Sequence, residues 1–451
     1  MSNGLGISGV PLDNVSMQQA LDRIEDFIRA GGMHQVATAN VDYLVHASTD
    51  LEYRRALCMC DLVLADGMPI VWASRLLGVP LAERVPGSDL VPRLVRLSSA
   101  KGYRIFLLGA SPAVSEAAVR HMETLSPGVR IVGRMSPPIR PLDEFENAPI
   151  LEAIERARPD ILLVAFGSPK QEKWISRNRH LLKTHVAIGI GGTLEFLSDS
   201  IPRAPAWMQE HCLEWVYRMW NEPRRLGPRY LRDALWLSRN LTLEILRNWV
   251  TRRSHTGVRL SVDSIGAIHI IRVAGAMAGP DLTRVAGVLS EAFDYGRPVV
   301  LDLAETSHIG ADGFWILAGL LRRATERGCE LWLTGLSPSL MRTLRETRFE
   351  GLISSAASAL DAIRKASRGR LQMNLELGEN WAVCRISGDI SPNARATLEQ
   401  ICQSVRMAHP HFEFDASGMT DFDPGSLLTP LRSSGRVVYV DAPQVKTAGA
   451  V

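Results

Sequence analysis

The sequence predicts an α/β protein: a mostly parallel sheet in the first half, a helical appendage after it, and two smaller α/β modules at the end. Three observations carry this. From residue 34 to about 190 short apolar runs alternate with amphipathic segments, from 201 to 253 the composition shifts, and beyond 256 two blocks repeat at a fixed offset. A chain of 451 residues exceeds one ordinary core, and at roughly 100–200 residues per domain it suggests two to four folded units.

Bulk composition narrows the class further. Hydrophobic residues make up 46% of the chain, and Lys+Arg of 51 against Asp+Glu of 48 leaves a net charge of +3, which fits a globular protein and names no partner. The start, MSNGLGISGVPLDNV, lacks a basic segment followed by an apolar one, and no segment approaches eighteen uninterrupted apolar residues, so a cytoplasmic location is expected. The cysteines are scattered, and Cys58-Met59-Cys60 matches neither a zinc knuckle nor a CxxC redox pair. Core thiols, and no metal site, are the reading.

The strands of the first half are HQVAT, DLVLA, YRIFLLG, VRIVG, DILLVAFG and HVAIGIGG; between them DLEYRRAL, SPAVSEAAVRHM and ILEAIERARP read as helices. This is the rhythm of a Rossmann-like sheet. Three strand ends run into small residues before a helix: LLGASP with Gly109, AFGSPKQEKW with Gln171, and GIGGTLEF with Gly192, Thr193 and Glu195. Backbone amides at such turns can face a phosphate, which makes a nucleotide cleft the expectation. None is a GxGxxG fingerprint or a GxxxxGK[ST] loop, so dinucleotide oxidoreductase and ATPase readings lose ground. In LVLADGMPIV, Asp66 follows a buried-looking strand; it either caps the next helix or, because open α/β sheets bind ligands beyond their carboxyl strand ends, is a reactive group.

The stretch from Ile201 to Arg253 carries ten Arg, no Lys and five of the chain's ten Trp. Arginines 218, 224, 225 and 229, interleaved with Trp220 and Trp236, suit an anionic and partly apolar surface such as lipid headgroups or a lipid diphosphate. Nucleic acid and a helical hairpin packing its tryptophans on the sheet are the other readings of that mixture.

After TRRSHTG, Gly266–Met277 aligns without gaps on Glu379–Ile390, and Leu301–Phe314 on Phe414–Leu427, each at an offset of 113 (379 − 266 and 414 − 301). A shared offset implies a duplicated module. The domain boundaries expected are 1–253 for the sheet domain with its appendage at 201–253, 256–367 and 371–441 for the repeats, and a tail at 442–451.

The blocks TANVDYLV, ADGMP, RVPGSDL, GSPKQEKW, GGTLEF, RAPAWM and LEWVYRMWNEPRRL occur in order between Thr38 and Leu226. By them the first half resembles the bacterial WecG/TagA/CpsF-type glycosyltransferase family, which includes N-acetylmannosaminyl and N-acetylmannosaminuronic acid transferases and a xanthan-type glucosyltransferase. The resemblance implies a metal-independent, inverting transfer from a UDP-sugar to a saccharide on a polyprenyl diphosphate, at the inner face of the plasma membrane, with no nucleic acid involved. It also implies Asp66 as the carboxylate that takes the proton from the acceptor hydroxyl. Thr38, Asn40 and Gln171 can donate hydrogen bonds to sugar or phosphate oxygens, Gly109, Gly192, Thr193 and Glu195 line the cleft, and Arg84 with Arg218, Arg224, Arg225 and Arg229 supplies counter-charge to the diphosphates. Trp220 and Trp236 are the candidate interfacial anchors. Cys212 stands where the family usually has Gly, Glu195 where Asp is common, and Gly227-Pro228 where arginine is frequent, departures that bear on the acceptor side. The one DxD, Asp421-Phe422-Asp423, lies far off in the second repeat and reads as a decoy.

The repeats resemble STAS domains, the fold of anti-sigma-factor antagonists, the second copy being shortened. That family carries a phosphorylated hydroxyl in an Asp-Ser-Ser/Thr-Gly turn; the matching positions here are Gly310-Ala311-Asp312-Gly313 and Asp423-Pro424-Gly425-Ser426. Neither keeps the hydroxyl, which argues against a kinase-controlled switch and leaves Asp312 as a fixed negative charge. Docking to an unidentified protein partner is the role expected of the modules. The rival reading of the whole chain is a regulatory scaffold that binds nucleotide-sugar without turnover and signals through its STAS modules.

Overall fold

The computed structural model describes residues 4–198 except 139, most of 214–251, 258–362 except 360 and with gaps between 266 and 297, and beyond that the strands 372–377, 381–387 and 411–418. Two compact units result, Met1–Ser355 and Ala356–Val451.

The first unit opens with an antiparallel hairpin, β1 (Gly4–Ile7) and β2 (Val10–Asp13), an element that the sequence does not announce. Then follow α1 (Met17–Ala30), β3 (His34–Ala39), α2 (Val41–Thr49), α3 (Leu51–Cys58), β4 (Leu62–Ala65), α4 (Met68–Leu76) and α5 (Gly87–Lys101). The second stretch runs β5 (Arg104–Gly109), α6 (Pro112–Leu125), β6 (Arg130–Met135), α7 (Asn147–Ala157), β7 (Ile161–Ala165), α8 (Lys170–Arg177), β8 (Val186–Gly189) and α9 (Thr193–Leu197). Strands β3 to β8 are the six expected runs, and they form one parallel sheet in the order β4-β3-β8-β7-β5-β6.

Alternation along the strands explains the layers. Val36, Leu62, Leu64, Ile105, Leu107, Ile161, Leu163, Val186 and Ile188 point to the face covered by α1, α5 and α6, where Ile24, Leu90, Leu94 and Met122 meet them. Their neighbours point the other way: Phe106, Leu108, Leu162 and Val164 pack with Ile154 and Trp174, and Ala37, Ala39, Val63 and Ala65 with Leu44, Leu57 and Ile70. A sheet covered on both faces needs strands apolar at every position, which is why they read as continuous runs.

The appendage consists of α10 (Glu214–Asn221) and α11 (Pro223–Thr251). Leu237 is buried, and Trp236, Leu241 and Ile245 pack against the same cluster as α2 and β1. The Ser8 amide donates to Glu244 Oε2 at 3.3 Å, which ties α11 to the β1–β2 turn.

The first of the two repeated modules contains β9 (Arg259–Ile265), β10 (Ile268–Met277), β11 (Val299–Asp302), β12 (Thr306–Ile309), α12 (Ala311–Glu326), β13 (Leu331–Thr334), α13 (Pro338–Glu346) and β14 (Ser354–Ser355). Its sheet runs β12-β10-β11-β13-β14, with β9 antiparallel to β10 and the other pairs parallel. Asp312 opens α12 and accepts from the amides of Gly279 at 2.6 Å and Gly313 at 3.1 Å, so its carboxylate pins the loop after β10.

The second unit carries β15 (Gln372–Leu377), β16 (Trp381–Ser387) and β17 (His411–Gly418). Pairing is antiparallel then parallel, as in β9-β10-β11, and the registers correspond. Arg259 faces Ala274 where Gln372 faces Ser387, and His269 faces Val299 where Ala382 faces Phe412, each 113 residues on (372 − 259 and 382 − 269). The duplication seen in sequence is thus a duplication of hydrogen-bond register. The DxD, the Asp423–Ser426 turn and the tail 442–451 lie outside the described residues.

Candidate active site

The chain leaves β3 toward one edge of the sheet through β4 and leaves β5 toward the other through β6, while β7 and β8 fill the centre. Such a switch leaves a crevice beyond the carboxyl ends of the strands. The sequence-predicted residues of the sheet domain gather there. Thr38 and Asn40 end β3, Asp66 follows β4, Gly109 ends β5, Gln171 sits in the first turn of α8 after β7, and Gly192, Thr193 and Glu195 belong to the turn and helix after β8.

Asp66 is half-buried, and its amide donates to Ala39 O at 2.8 Å, which sets it beside the end of β3. The N-cap of α4 is Gly67, so Asp66 lies one residue outside the capping position. Gly67 in turn lies against Asn40: a Cβ placed there would be 3.7 Å from Asn40 Cβ. Asn40 occupies the N-cap of α2 yet its side chain makes no capping bond, and its buried Oδ1 has no hydrogen-bond partner among the described residues. Buried acceptors are normally satisfied, so this oxygen is suited to a ligand donor.

A second cluster forms around Gly87, the first residue of α5. A Cβ at Gly87 would stand 3.1 Å from Thr193 Oγ1 and 3.5 Å from Thr38 Oγ1. The absence of a side chain there brings the start of a fifteen-residue helix up against both hydroxyl groups, and the helix dipole favours an anion at that end. Thr38 donates to Gly189 O at 3.2 Å and Thr193 to Ile190 O at 2.6 Å, which orients both hydroxyl groups. Gly109 adopts φ +106°, and a Cβ there would meet Ala165 O at 2.6 Å, so only glycine fits. Gly192 is exposed, and Glu195 has a buried Oε2 without a partner among the described residues.

Gln171 is fully buried, and, against the expectation that it donates to a ligand, its amide is committed within the protein: Oε1 accepts from the Gly191 amide at 3.0 Å, and Nε2 donates to Tyr43 Oη at 3.0 Å and Glu172 Oε1 at 2.6 Å. Tyr43 donates to the same Glu172 oxygen at 2.7 Å. Glu172 and Tyr43 were not among the sequence's candidates. Burial pushes the Glu172 carboxyl up to about 7, against the hydrogen bonds from Tyr43 and Gln171 that lower it. The signal for it was Gly189: a Cβ there would sit 2.6 Å from Glu172 Oε1, so glycine at this strand end makes room for the carboxyl.

The cationic candidates divide. Arg84 pairs with Asp89 at 3.6 Å beside the start of α5. Arg229 pairs with Asp42 at 3.1 Å and Asp233 at 3.8 Å, and Arg232 with both as well, so these two arginines fasten α11 to α2. Arg224 is exposed on the first turn of α11. The side chains of Arg218 and Arg225 lie outside the described residues. Trp220 is 85% exposed, whereas Trp236 is partly buried against the sheet domain. Among the described residues no group of three or more His, Cys, Asp and Glu side chains is placed to hold a metal, and no helix is long and apolar enough to cross a membrane.

A parallel sheet with helices on both faces, and with a carboxylate and an unsatisfied amide oxygen at its carboxyl edge, defines a doubly wound α/β protein whose candidate site lies at the switch point of the strand order. Comparison with known families makes this specific: residues 5–253 match the model of the glycosyl transferase WecG/TagA/CpsF family, and the chain belongs to that family. Residues 259–366 match the STAS domain. Similar relatives include the N-acetylglucosaminyldiphosphoundecaprenol N-acetyl-beta-D-mannosaminyltransferases of Staphylococcus aureus strains MRSA252 and MW2, each 30% identical over 223 residues, or 49% of this chain and 86% of theirs. Among solved structures, a putative anti-sigma factor antagonist from Thermotoga maritima (12% identity, TM-score 0.23) covers 24% of this chain, and the anti-sigma factor antagonist SpoIIAA (14%, TM-score 0.22) covers 25%; the match spans 95% and 99% of those chains. The STAS assignment rests on the family match and on the strand order.

Proposed function

We propose that the protein is an inverting glycosyltransferase that moves an N-acetylmannosamine-type sugar or glucose from a UDP-sugar to a polyprenyl-diphosphate-linked saccharide. The observation that carries the reading is the meeting of Asp66, Asn40 and the Gly87 helix start at one edge of the sheet, in a chain whose relatives are named for acting on a diphosphoundecaprenol-linked sugar. The acceptor hydroxyl oxygen attacks the anomeric carbon as its proton passes to Asp66; the bond from that carbon to the UDP oxygen breaks, and UDP leaves with the electron pair. Asn40, whose buried Oδ1 has no partner among the described residues, accepts a hydrogen bond from the sugar, Thr38 and Thr193 accept from sugar hydroxyls while their own protons go to Gly189 O and Ile190 O, and the start of α5 with the exposed Arg224 balances the charge of the leaving diphosphate without a divalent metal. In this reading the lipid-linked acceptor brings the enzyme to a membrane surface, the inner face of the plasma membrane.

The test is UDP release from UDP-N-acetylmannosamine, its uronic acid and UDP-glucose, each with and without GlcNAc-diphosphoundecaprenol and with EDTA. Acceptor-dependent release that survives EDTA is expected from at least one donor. Donor binding without release from any would favour the scaffold reading, and loss in EDTA restored by magnesium would overturn metal independence.

A further inference from the structure

We propose that the first STAS module positions the strand that carries Asp66, with Trp315 and Arg322 of α12 as the positioning residues. This inference rests on the assignment of Asp66 as the reactive carboxylate.

The contact begins in β1, whose sequence Gly4-Leu5-Gly6-Ile7 has two unlike faces. Leu5 and Ile7 are fully buried in the cluster shared with α2, α3 and α4. Gly4 and Gly6 face α12: a Cβ on Gly4 would collide with the Trp315 indole, and one on Gly6 would come within 2.6 Å of Phe314 Cβ. The helix therefore lies on the bare backbone of the hairpin. The cores of the two domains also interlock, since Ala311 of α12 packs in the sheet domain's cluster and Cys58 of α3 packs in that of the STAS module.

This contact bears on β4 because β4 is an edge strand, bonded only to β3. Its outer edge presents backbone groups that need partners. Asp13 Oδ2 accepts from the Val63 amide at 2.7 Å, and the Val85 amide donates to Ala65 O at 2.8 Å. Asp13 is buried, and its other oxygen accepts from Trp315 Nε1 at 3.1 Å. The STAS helix thus holds the carboxylate that holds the strand. A second grip lies at the entry to β4, where Arg322 Nη1 donates to Cys60 O. From Trp315 to Arg322 is two helical turns, about 10.5 Å of rise; from Cys60 to Val63 is about 10 Å of extended chain. The two spacings match, so one face of α12 fixes both the entry and the middle of β4. Asp66 follows within three residues, and a displacement of about 1 Å at a reacting group can lower turnover on the order of a hundredfold.

In the full-length protein, Trp315→Phe keeps a ring over Gly4 and removes the N–H. Two readouts are needed: kinetics with UDP-N-acetylmannosamine and GlcNAc-diphosphoundecaprenol, and amide hydrogen exchange of peptides spanning 60–67. We expect kcat to fall by about tenfold with donor KM unchanged, and the Val63 amide to lose protection while β5 and β7 keep theirs. Asp13→Asn should act alike, and the double variant should be no worse than Asp13→Asn alone, because Trp315 acts through Asp13. If Trp315→Phe does not fold, Arg322→Leu is read the same way. Unchanged kcat and exchange, or protection lost evenly across the sheet, would overturn the inference. An Asp66→Asn variant separates the two claims: if it is active, the reactive role of Asp66 fails while exchange at Val63 still tests the grip; if it is dead and Trp315→Phe is normal, the grip alone fails.

Discussion

At the scale of single residues, the site is organised by a few buried polar groups whose neighbours leave them room. Glu172 is the least expected, because beside Gln171 in a short charged helix it reads as a solvent-facing acid; it is buried because α8 lies over Gly189. Its carboxyl titrates near 4.5 when unfolded and near 7 in the folded chain. The stability tied to its neutral form is therefore fully present below the lower value and is lost as pH rises through the upper one. Thermal unfolding followed from about pH 5 to about pH 8 should show a steeper decline for the wild type than for Glu172→Gln, which cannot ionise. Parallel declines would show that the carboxyl is not held in its neutral form. Thr38, Asn40 and Asp66 were legible because each stands at the end of an apolar run, where a polar residue has no reason to belong to the core. Tyr43 was not, since one turn into a helix an aromatic reads as packing.

At the scale of elements, the inner strands of the parallel sheet were legible because burial on both faces demands apolar runs, whereas β6, an edge strand with no buried residue, was legible only through Ile131 and Val132 before Gly133. The β1–β2 hairpin was hidden for the opposite reason: Gly4 and Gly6 carry no side chain to form a pattern, and Pro11 argues against a strand. Its glycines make sense only once α12 is laid against them. The appendage has two unlike faces. Leu237 and Trp236 turn toward the sheet domain, while Leu231, Leu235, Leu243 and Leu246 of α11 remain exposed, with Trp220 on α10. The exposed leucines of α11, with Arg224 on its first turn, are the surface that the proposed membrane contact would use. Replacing Leu231 and Leu235 with Glu should weaken sedimentation with anionic vesicles on the order of tenfold or more. High salt should weaken the intact protein too, since charge attraction is screened beyond about 10 Å at 0.1 M. Binding equal to wild type would place the membrane contact elsewhere. Point variants suit this test better than truncation after Arg253, which would strip α12 from the glycine face of β1.

At the scale of the whole molecule, the sequence reads as separate modules in a row, and the two family matches span residues 5–253 and 259–366. The fold joins the first two of them: Met1–Ser355 is one compact unit in which the STAS helix packs on the first hairpin of the glycosyltransferase. Contacts between residues some three hundred positions apart leave no periodic trace, so this joint was beyond sequence reading, whereas the internal duplication survived in register because strand pairing keeps its spacing. The central claim is that Asp66, at the end of the edge strand, is the base in transfer to a lipid-linked acceptor. The direct measurement is transfer of radiolabelled sugar from UDP-N-acetylmannosamine to vesicle-borne GlcNAc-diphosphoundecaprenol by the full chain and by Asp66→Asn. Labelled lipid from the wild type, lowered on the order of a hundredfold or more in the variant with donor binding retained, is the predicted result; transfer by Asp66→Asn at a rate near that of the wild type would contradict it.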